Sequence, residues 1–318
     1  MESIGFIGLG NLGLPFARNI RRAGYPMVVH DVREGATKPL LDDGARLGAS
    51  PEEVAQQTQV IFSSLPGPKE VEEVAIGPHG LLEGIKAGAV YIDMSTSRPA
   101  LIRRIESMFR QKGAHVLDAP VYAGPHTAAR RQVKIMPSGD REVFDRVRPI
   151  IESFTETVLY TGRLGNGSIC KLVGNMTQVT FNQMLAEMLT LGVKAGVELP
   201  VLMEASGNGL IGKMYKRLAS SVFSGVFEPA LFRLDLMRKD IALATELGRE
   251  LDVALPLANF SEQLTIQAVN RGWGDRDVFA TILLQEEAAG VELRSPELAE
   301  PWPSDPGRYP PRDRAAQA

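Results

Sequence analysis

The chain has 318 residues, 44% of them hydrophobic and 23% charged, with a formal net charge of −3. That length supports two domains with separate cores, and the composition is that of a soluble globular protein. The slight acidity gives no electrostatic reason for a nucleic-acid or acidic-membrane partner. A single cysteine, Cys170, excludes an internal disulfide framework and fits a reducing compartment. No apolar run reaches bilayer length, and the acidic N-terminus enters the first apolar run directly. Neither a membrane span nor a signal peptide is expected, so a cytoplasmic location is.

The first predicted element is a strand over Ile4 to Ile7, which enters Gly8-Leu9-Gly10-Asn11-Leu12-Gly13. A helix follows over Leu14 to Ala23, then a strand over Met27 to His30 that ends on Asp31. Strand, glycine turn, helix and acid-tipped strand are the parts that hold the pyrophosphate and adenosine ribose of a dinucleotide. Gly8 permits the tight turn, Gly10 lets the backbone approach the phosphates, and Gly13 lets the helix pack close. The helix N-terminus turns free N–H groups and the positive end of its dipole toward the phosphates. Asp31 would accept the ribose hydroxyls and repel a 2′-phosphate, which favours NAD; Arg33, two residues on, leaves NADP open.

Further strand-like runs fall at Val60 to Leu65, Ala89 to Asp93, His115 to Ala119, Val133 to Met136 and Val158 to Tyr160. Helical patterns separate them at Pro51 to Gln57, Lys69 to Val74, Pro99 to Lys112 and Arg141 to Ser153. This alternation predicts a mostly parallel, doubly wound α/β sheet, with ligands beyond the C-terminal strand ends. After Gly167, apolar residues at Ile169, Leu172, Val173, Met176, Val179, Met184, Met188 and Val193 recur at three- and four-residue steps. They predict one helix from Asn166 or Ser168 to the Gly192–Gly196 region, about 42 Å long. It would leave one domain and form the core of the next, which reads as helix and turn throughout. The expected organisation is a dinucleotide-binding domain over 1–164 and an all-helical substrate and oligomerisation domain over 165–292. Residues 293–318 are expected to form a disordered or surface-draped Pro-rich tail.

At the domain junction stands Gly165-Asn166-Gly167, followed by Lys171 and Asn175. Four residues apart on a helix, those two side chains share a face. Such a pair is usually only solvated, but the glycine frame right after the sheet makes it a catalytic candidate. The amine could exchange a proton with a substrate oxygen while the amide fixes the hydroxyl or carbonyl. A second polar pair, Lys239-Asp240, interrupts an apolar helical pattern, and spacing leaves open whether it faces a cleft or solvent. The four histidines are scattered, none paired with an acid or another histidine at ligand spacing, so no metal site is expected. Cys170 is expected to be a small buried side chain.

These segments together resemble the β-hydroxyacid dehydrogenase family over roughly residues 3 to 290. The resemblance is carried by Gly8 to Asn19 with Gly24, by Asp118-Ala119-Pro120-Val121, by Gly165-x-Gly167-x3-Lys171-x3-Asn175, and by Lys239-Asp240-Ile241. Leu65-Pro66, Asp93-Met94-Ser95-Thr96 and Gly274-Asp275 with Asp277 support it. It implies a Rossmann domain, a helical second domain on a long connecting helix, a cleft site between them, and homodimers or homotetramers. It implies NAD-dependent, reversible hydride transfer with the hydroxyl-bearing carbon of a small carboxylate substrate. Lys171 is then the general acid–base, Asn175 its substrate-orienting partner, Leu65, Pro66 and Thr96 cofactor contacts, and Lys239 the residue closing over nicotinamide and substrate. Oxidation at neutral pH would need the amine to titrate below its usual value of about 10.4. Burial and the Lys239 cation would push that way.

The family's substrate segment usually continues with Ser-Gly-Gly, whereas this chain has Tyr122-Ala123-Gly124. Tyr122 would replace the serine for a different acid or reshape the pocket, so the usual small hydroxyacids are expected to turn over poorly. Arg131 stands where the family usually has glycine, with Pro125, His126, Arg130 and Lys134 nearby; it reads as a surface residue before a second anion site. The alternatives are an imine reductase of the same architecture, which usually replaces the lysine, and a non-catalytic dinucleotide-binding module, which tends to lose it.

Overall fold

The structure is a computed structural model that describes residues 1–33 and 35–300, without the side chains of Pro125, His126 and Leu210. It comprises two compact units, residues 1–173 and 174 onward. In the first, β1 (Ile4–Ile7), β2 (Met27–His30), β3 (Arg46–Leu47), β4 (Val60–Ser63), β5 (Val90–Asp93) and β6 (His115–Asp118) form an all-parallel sheet. Their order is β3-β2-β1-β4-β5-β6, so the winding reverses beside β1 and leaves a crevice at the strand ends there. Helices α1 (Gly13–Arg22), α2 (Lys38–Leu41), α3 (Pro51–Gln57), α4 (Pro68–Ile76), α5 (Leu81–Gly84) and α6 (Pro99–Gln111) join the strands.

Successive strand residues point to opposite faces, and each face carries its own core. Ile4, Phe6, Val29, Phe62 and Ile92 meet Phe16 and Ile20 of α1 in one cluster. Ile7, Val28, Ile61 and Tyr91 meet Val54, Ile105 and Phe109 in the other. Burial on both faces is why these strands read as continuous apolar runs.

The segments near 134 and 158 do not join this sheet, contrary to the sequence expectation. β7 (Val121–Tyr122), β8 (Lys134–Ile135) and β9 (Thr157–Val158) make a separate sheet, with β7 antiparallel and β9 parallel to β8. Pro120 has no N–H to continue the ladder past β6, so the chain turns into a new pairing there. Helices α7 (Pro125–Ala129) and α8 (Arg141–Glu152) lie between these strands in sequence.

The second unit is built on α9 (Asn166–Lys194), whose opening residues belong to the first unit. The units therefore divide inside this helix rather than before it. α10 (Leu199–Ser206), α11 (Leu210–Lys216), α12 (Leu234–Glu250), α13 (Pro256–Ala268) and α14 (Ile282–Ala289) complete it. Val179, Leu185, Leu189, Leu218, Phe223, Met237, Ile241 and Ile282 form its core. Asp277 ties the segment before α12 to that core by accepting the N–H groups of Leu231, Phe232 and Phe279.

The expectation of an undocked tail fails for residues 293–300. Leu293 is fully buried in the helical core, and Arg294 forms a two-pronged ion pair with buried Glu286. The N–H groups of Ser295 and Glu300 bond to the carbonyls of Phe223 and Ala219. One apolar anchor and these polar ties are enough to dock it. The remainder of the predicted tail lies outside the described residues. No described helix is long and apolar enough to cross a membrane.

The close approach of α1 to β1 gives a stability test. A Cβ at Gly13 would lie 1.9 Å from the Gly8 carbonyl oxygen, an impossible contact with backbone. Gly13→Ala should cost about 1–3 kcal/mol, read as a lower urea midpoint at unchanged slope; an unchanged midpoint would contradict this packing.

Candidate active site

The glycine turn joins β1 to α1, and each glycine meets a different constraint. Gly8 has φ +85°, a left-handed conformation that disfavours other residues. Gly10 has open space where a side chain would otherwise stand, so its backbone is accessible to a ligand. The α1 first turn holds no acid, while Arg21 and Arg22 sit in its last turn. Anion attraction at the N-terminus is thus left uncancelled. These features fit a dinucleotide pyrophosphate.

Asp31, just past β2, turns back onto this loop. Its carboxylate accepts the Leu9 N–H at 2.7 Å and the Arg33 N–H at 2.8 Å. The Arg33 guanidinium grips both oxygens at 3.1 Å. Burial pushes the Asp31 carboxyl up, but hydrogen bonds from the Arg33 side chain and the two N–H groups, with the guanidinium charge, outweigh it. The group stays below the ordinary carboxylate range. The Arg33 side chain is 59% exposed, so it can leave the pair at little cost.

The loops after β4 and β5 are cross-linked under the other sequence candidates. Buried Asp93 accepts from Ser63 Oγ at 2.9 Å and the Ser95 N–H at 3.1 Å, and Ser95 Oγ accepts the Leu65 N–H at 2.9 Å. Tyr91 bonds to Ser63 Oγ, and burial, with the Asp93 charge, pushes its phenol well up. The phenol stays protonated, and the network fixes the loops that present Leu65, Pro66 and Thr96.

A third carboxylate, Asp118 at the end of β6, fastens the start of α9. One oxygen accepts the Ser168 N–H at 2.7 Å, the other the Ser168 hydroxyl at 2.7 Å, and Ser138 Oγ donates at 3.2 Å. Gly167 permits this contact, because a Cβ there would lie 2.4 Å from the Met136 carbonyl oxygen. Burial pushes the Asp118 carboxyl up to about 7; the Ser168 hydrogen bonds oppose that, and the Asp93 charge adds to it. Lys171 follows three residues after Ser168. Its Nζ lies 4.0 Å from the centroid of the Tyr122 ring, whose hydroxyl points at the Lys171 and Cys170 carbonyls at 3.3 and 3.4 Å. Tyr122 therefore engages the lysine itself, with Ala123 and Gly124 continuing the chain toward α7.

In the second unit, Asn175 is 2% exposed and donates through Nδ2 to Asp240 Oδ2 at 2.6 Å. Asp240 is itself buried and pairs with Lys239 at 2.9 Å, so this is no solvated stretch of helix. Engaged this way, the Asn175 amide keeps its carbonyl oxygen as an acceptor.

Two buried acids that bond to residues of α9, Asp118 and Asp240, stand in the sequence only as motif letters. Buried acids that end a strand or follow a lysine inside an apolar helix were the available signal. The expectations for Cys170 and His79 need correction, while Arg131 lies at the surface as expected. Cys170 is exposed, on the stripe it shares with Val173 and Thr177. Arg131 donates to the carbonyl of Glu152 at the end of α8, a use that accounts for it as a surface residue. His79 does meet an acid: Nδ1 lies 3.2 Å from Glu52, and with Glu83 the three offer ligand atoms within 4.8 Å of one another at the surface.

Glycine turn, acid-tipped second strand and helix-borne lysine mark a dinucleotide-dependent oxidoreductase. Residues 3–162 match the family described as the NAD binding domain of 6-phosphogluconate dehydrogenase. Residues 165–284 match the NAD-binding family of NADP-dependent 3-hydroxyisobutyrate dehydrogenase. The chain is 32% identical over 292 residues to 2-(hydroxymethyl)glutarate dehydrogenase of Eubacterium barkeri, covering 91% of this chain and 97% of that one. It is 32% identical to NAD-dependent L-serine dehydrogenase of Pseudomonas aeruginosa, covering 87% and 95%. The crystal structure of 3-hydroxyisobutyrate dehydrogenase from Salmonella typhimurium superposes with a TM-score of 0.75 at 25% identity, over 89% of this chain and all of that one. The chain belongs to the β-hydroxyacid dehydrogenase family.

Asp118 predicts a pH signature. Its folded value of about 7 lies above the ordinary 3.8, so between those limits the folded state holds a proton that the unfolded state has released. Its contribution to stability is full at low pH and is lost as pH rises from about 4 to about 7, then stays level. Urea unfolding across pH 5 to 8 should show a decline that flattens in Asp118→Asn; an identical slope in both proteins would contradict the assignment.

Proposed function

We propose that this chain catalyses reversible hydride transfer between a nicotinamide cofactor and the hydroxyl-bearing carbon of a small β-hydroxyacid. Lys171 acts as general acid–base. The observation that carries this reading is the anchoring of the lysine-bearing helix to the end of the dinucleotide sheet through Asp118 and Ser168. Bound nicotinamide supplies or takes up the hydride. As ammonium, Lys171 protonates the oxygen during reduction; as amine, it accepts that proton during oxidation. Asn175, oriented by Asp240, presents its carbonyl oxygen to the substrate hydroxyl. Lys239 binds the substrate or cofactor, and Tyr122, Ala123 and Gly124 line the substrate segment.

The nucleotide contacts are Gly8, Leu9, Gly10, Asn11, Leu12, Gly13, Asp31, Leu65, Pro66 and Thr96. NAD is the preferred cofactor, with NADP admitted through Arg33. A lysine at 171 separates this reading from an imine reductase or a passive nucleotide-binding module. The enzyme works in the cytoplasm as a homodimer or homotetramer, without nucleic acid. Exposed Met184, Met188 and Leu191, stacked along α9, support self-association.

Lys171→Ala should lower kcat/KM in both directions by about 10²–10⁴-fold while NAD binding, read by calorimetry, is retained. Turnover that survives this change would defeat the proposal. For the cofactor, kcat/KM should be higher with NAD than with NADP, and Arg33→Ala should widen the gap by damaging NADP use. An equal loss with both cofactors would remove Arg33 from phosphate recognition.

A further inference from the structure

The aromatic ring at position 122 has consequences that a serine there could not have. Tyr122 is held at one end by pairing of β7 with β8, where it stands opposite Lys134. At the other end its hydroxyl reaches the carbonyls of Cys170 and Lys171 on α9. Between these supports the ring carries Lys171 Nζ at 4.0 Å from its centroid. The face of an aromatic ring is the negative side of its quadrupole, so it attracts an ammonium and not the neutral amine. Lys171 is half-buried, which removes part of the water that would otherwise compete.

We propose that Tyr122 is a positioning residue for Lys171, holding its ammonium on the ring face so that the lysine is kept protonated, aimed and ready to deliver a proton in the reductive direction. The inference rests on the reading of Lys171 as the proton-transfer group and extends it to the preferred direction of the reaction. In reduction the carbonyl carbon gains a hydride from reduced nicotinamide, which is thereby oxidised. The carbonyl π electrons pass to oxygen, which takes a proton from Nζ, and solvent reprotonates the amine left behind. Oxidation must start from the amine, the form the ring disfavours. Titratable groups bordering this turn include Tyr122 from β7, Asp118 from the end of β6 and exposed Cys170 on α9 itself.

The test reads the lysine directly. The holoprotein is acylated at fixed pH with a limiting amine-specific reagent, and labelling of the Lys171 peptide is followed by mass spectrometry. Tyr122→Leu should label about two- to fivefold faster, the change expected when a ring-face contact is lost. Its ratio of reductive to oxidative kcat should fall, with KM for the cofactor unchanged. Tyr122→Phe, which keeps the face, should label at the wild-type rate and retain more reductive turnover than Tyr122→Leu. Tyr122→pentafluorophenylalanine keeps the shape but drains the face of charge, and should label like Tyr122→Leu even if the latter folds poorly. Unchanged labelling in the fluorinated protein overturns the proposal, as does a Phe variant altered as much as Leu, which would move the effect to the hydroxyl. If Lys171→Ala leaves turnover intact, the proposed function fails while the labelling result still reports on the ring.

Discussion

A carboxylate with almost no water around it, at the end of the last strand of the main sheet, decides where the rest of the site can be. Asp118 is fully buried and meets the free N–H and the hydroxyl of Ser168 in the first turn of α9. A helix start offers unsatisfied donors and a partial positive charge, the partner a buried carboxylate requires. The approach is possible only because Gly167 carries no side chain against the Met136 carbonyl. Once that junction forms, Lys171 stands one helical turn further along and inherits its place from the sheet. The same junction explains why the two compact units divide inside α9: its opening turns pack as part of the first.

The adenosine end of the site uses the same chemistry for a different purpose. Asp31 holds the glycine loop through the Leu9 N–H, and an exposed guanidinium balances its charge. One carboxylate thus ties the end of β2 to the glycine loop. The proposed choice between the two nicotinamide cofactors then rests on two neighbouring charges, Asp31 and the exposed guanidinium of Arg33.

What could be read from residues alone follows from how each signal arises. The glycine turn, Asp31, and the Lys171 and Asn175 spacing are local patterns whose geometry depends on a few consecutive positions. The main sheet is legible because its four-residue core strands are buried on both faces. β3 and β7 have two residues each, too few for any period to show, which hides one edge of the main sheet and the strand that opens the second sheet. Cys170 departs from the usual burial of a free cysteine, which is a residue-type average and carries nothing about the face of α9. In the structure Cys170, Val173 and Thr177 form an exposed stripe beside buried Ser168, Leu172 and Asn175. The start of the tail is not legible in composition, which averages over residues, whereas it is docked by Leu293, the Arg294–Glu286 pair and two backbone bonds. Asp118 and Asp240 act through partners 50 and 65 residues away, and no local pattern contains such a distance.

Taken together, the polar contacts over-determine the first two turns of α9. Asp118 holds the backbone and side chain of Ser168, while Tyr122 reaches the carbonyls of Cys170 and Lys171 and places its ring against the lysine. Each contact alone is modest, and the tyrosine hydrogen bonds are long. Their common effect is to remove freedom from a four-carbon side chain that would otherwise sample many rotamers. On the proposed reading of Lys171 as proton donor, a group held before substrate arrives does not have to be ordered at the moment of reaction. Replacing a serine by a tyrosine in this segment therefore changes more than pocket volume. It ties the segment after β6 to the start of α9 through the ring face and the hydroxyl at once.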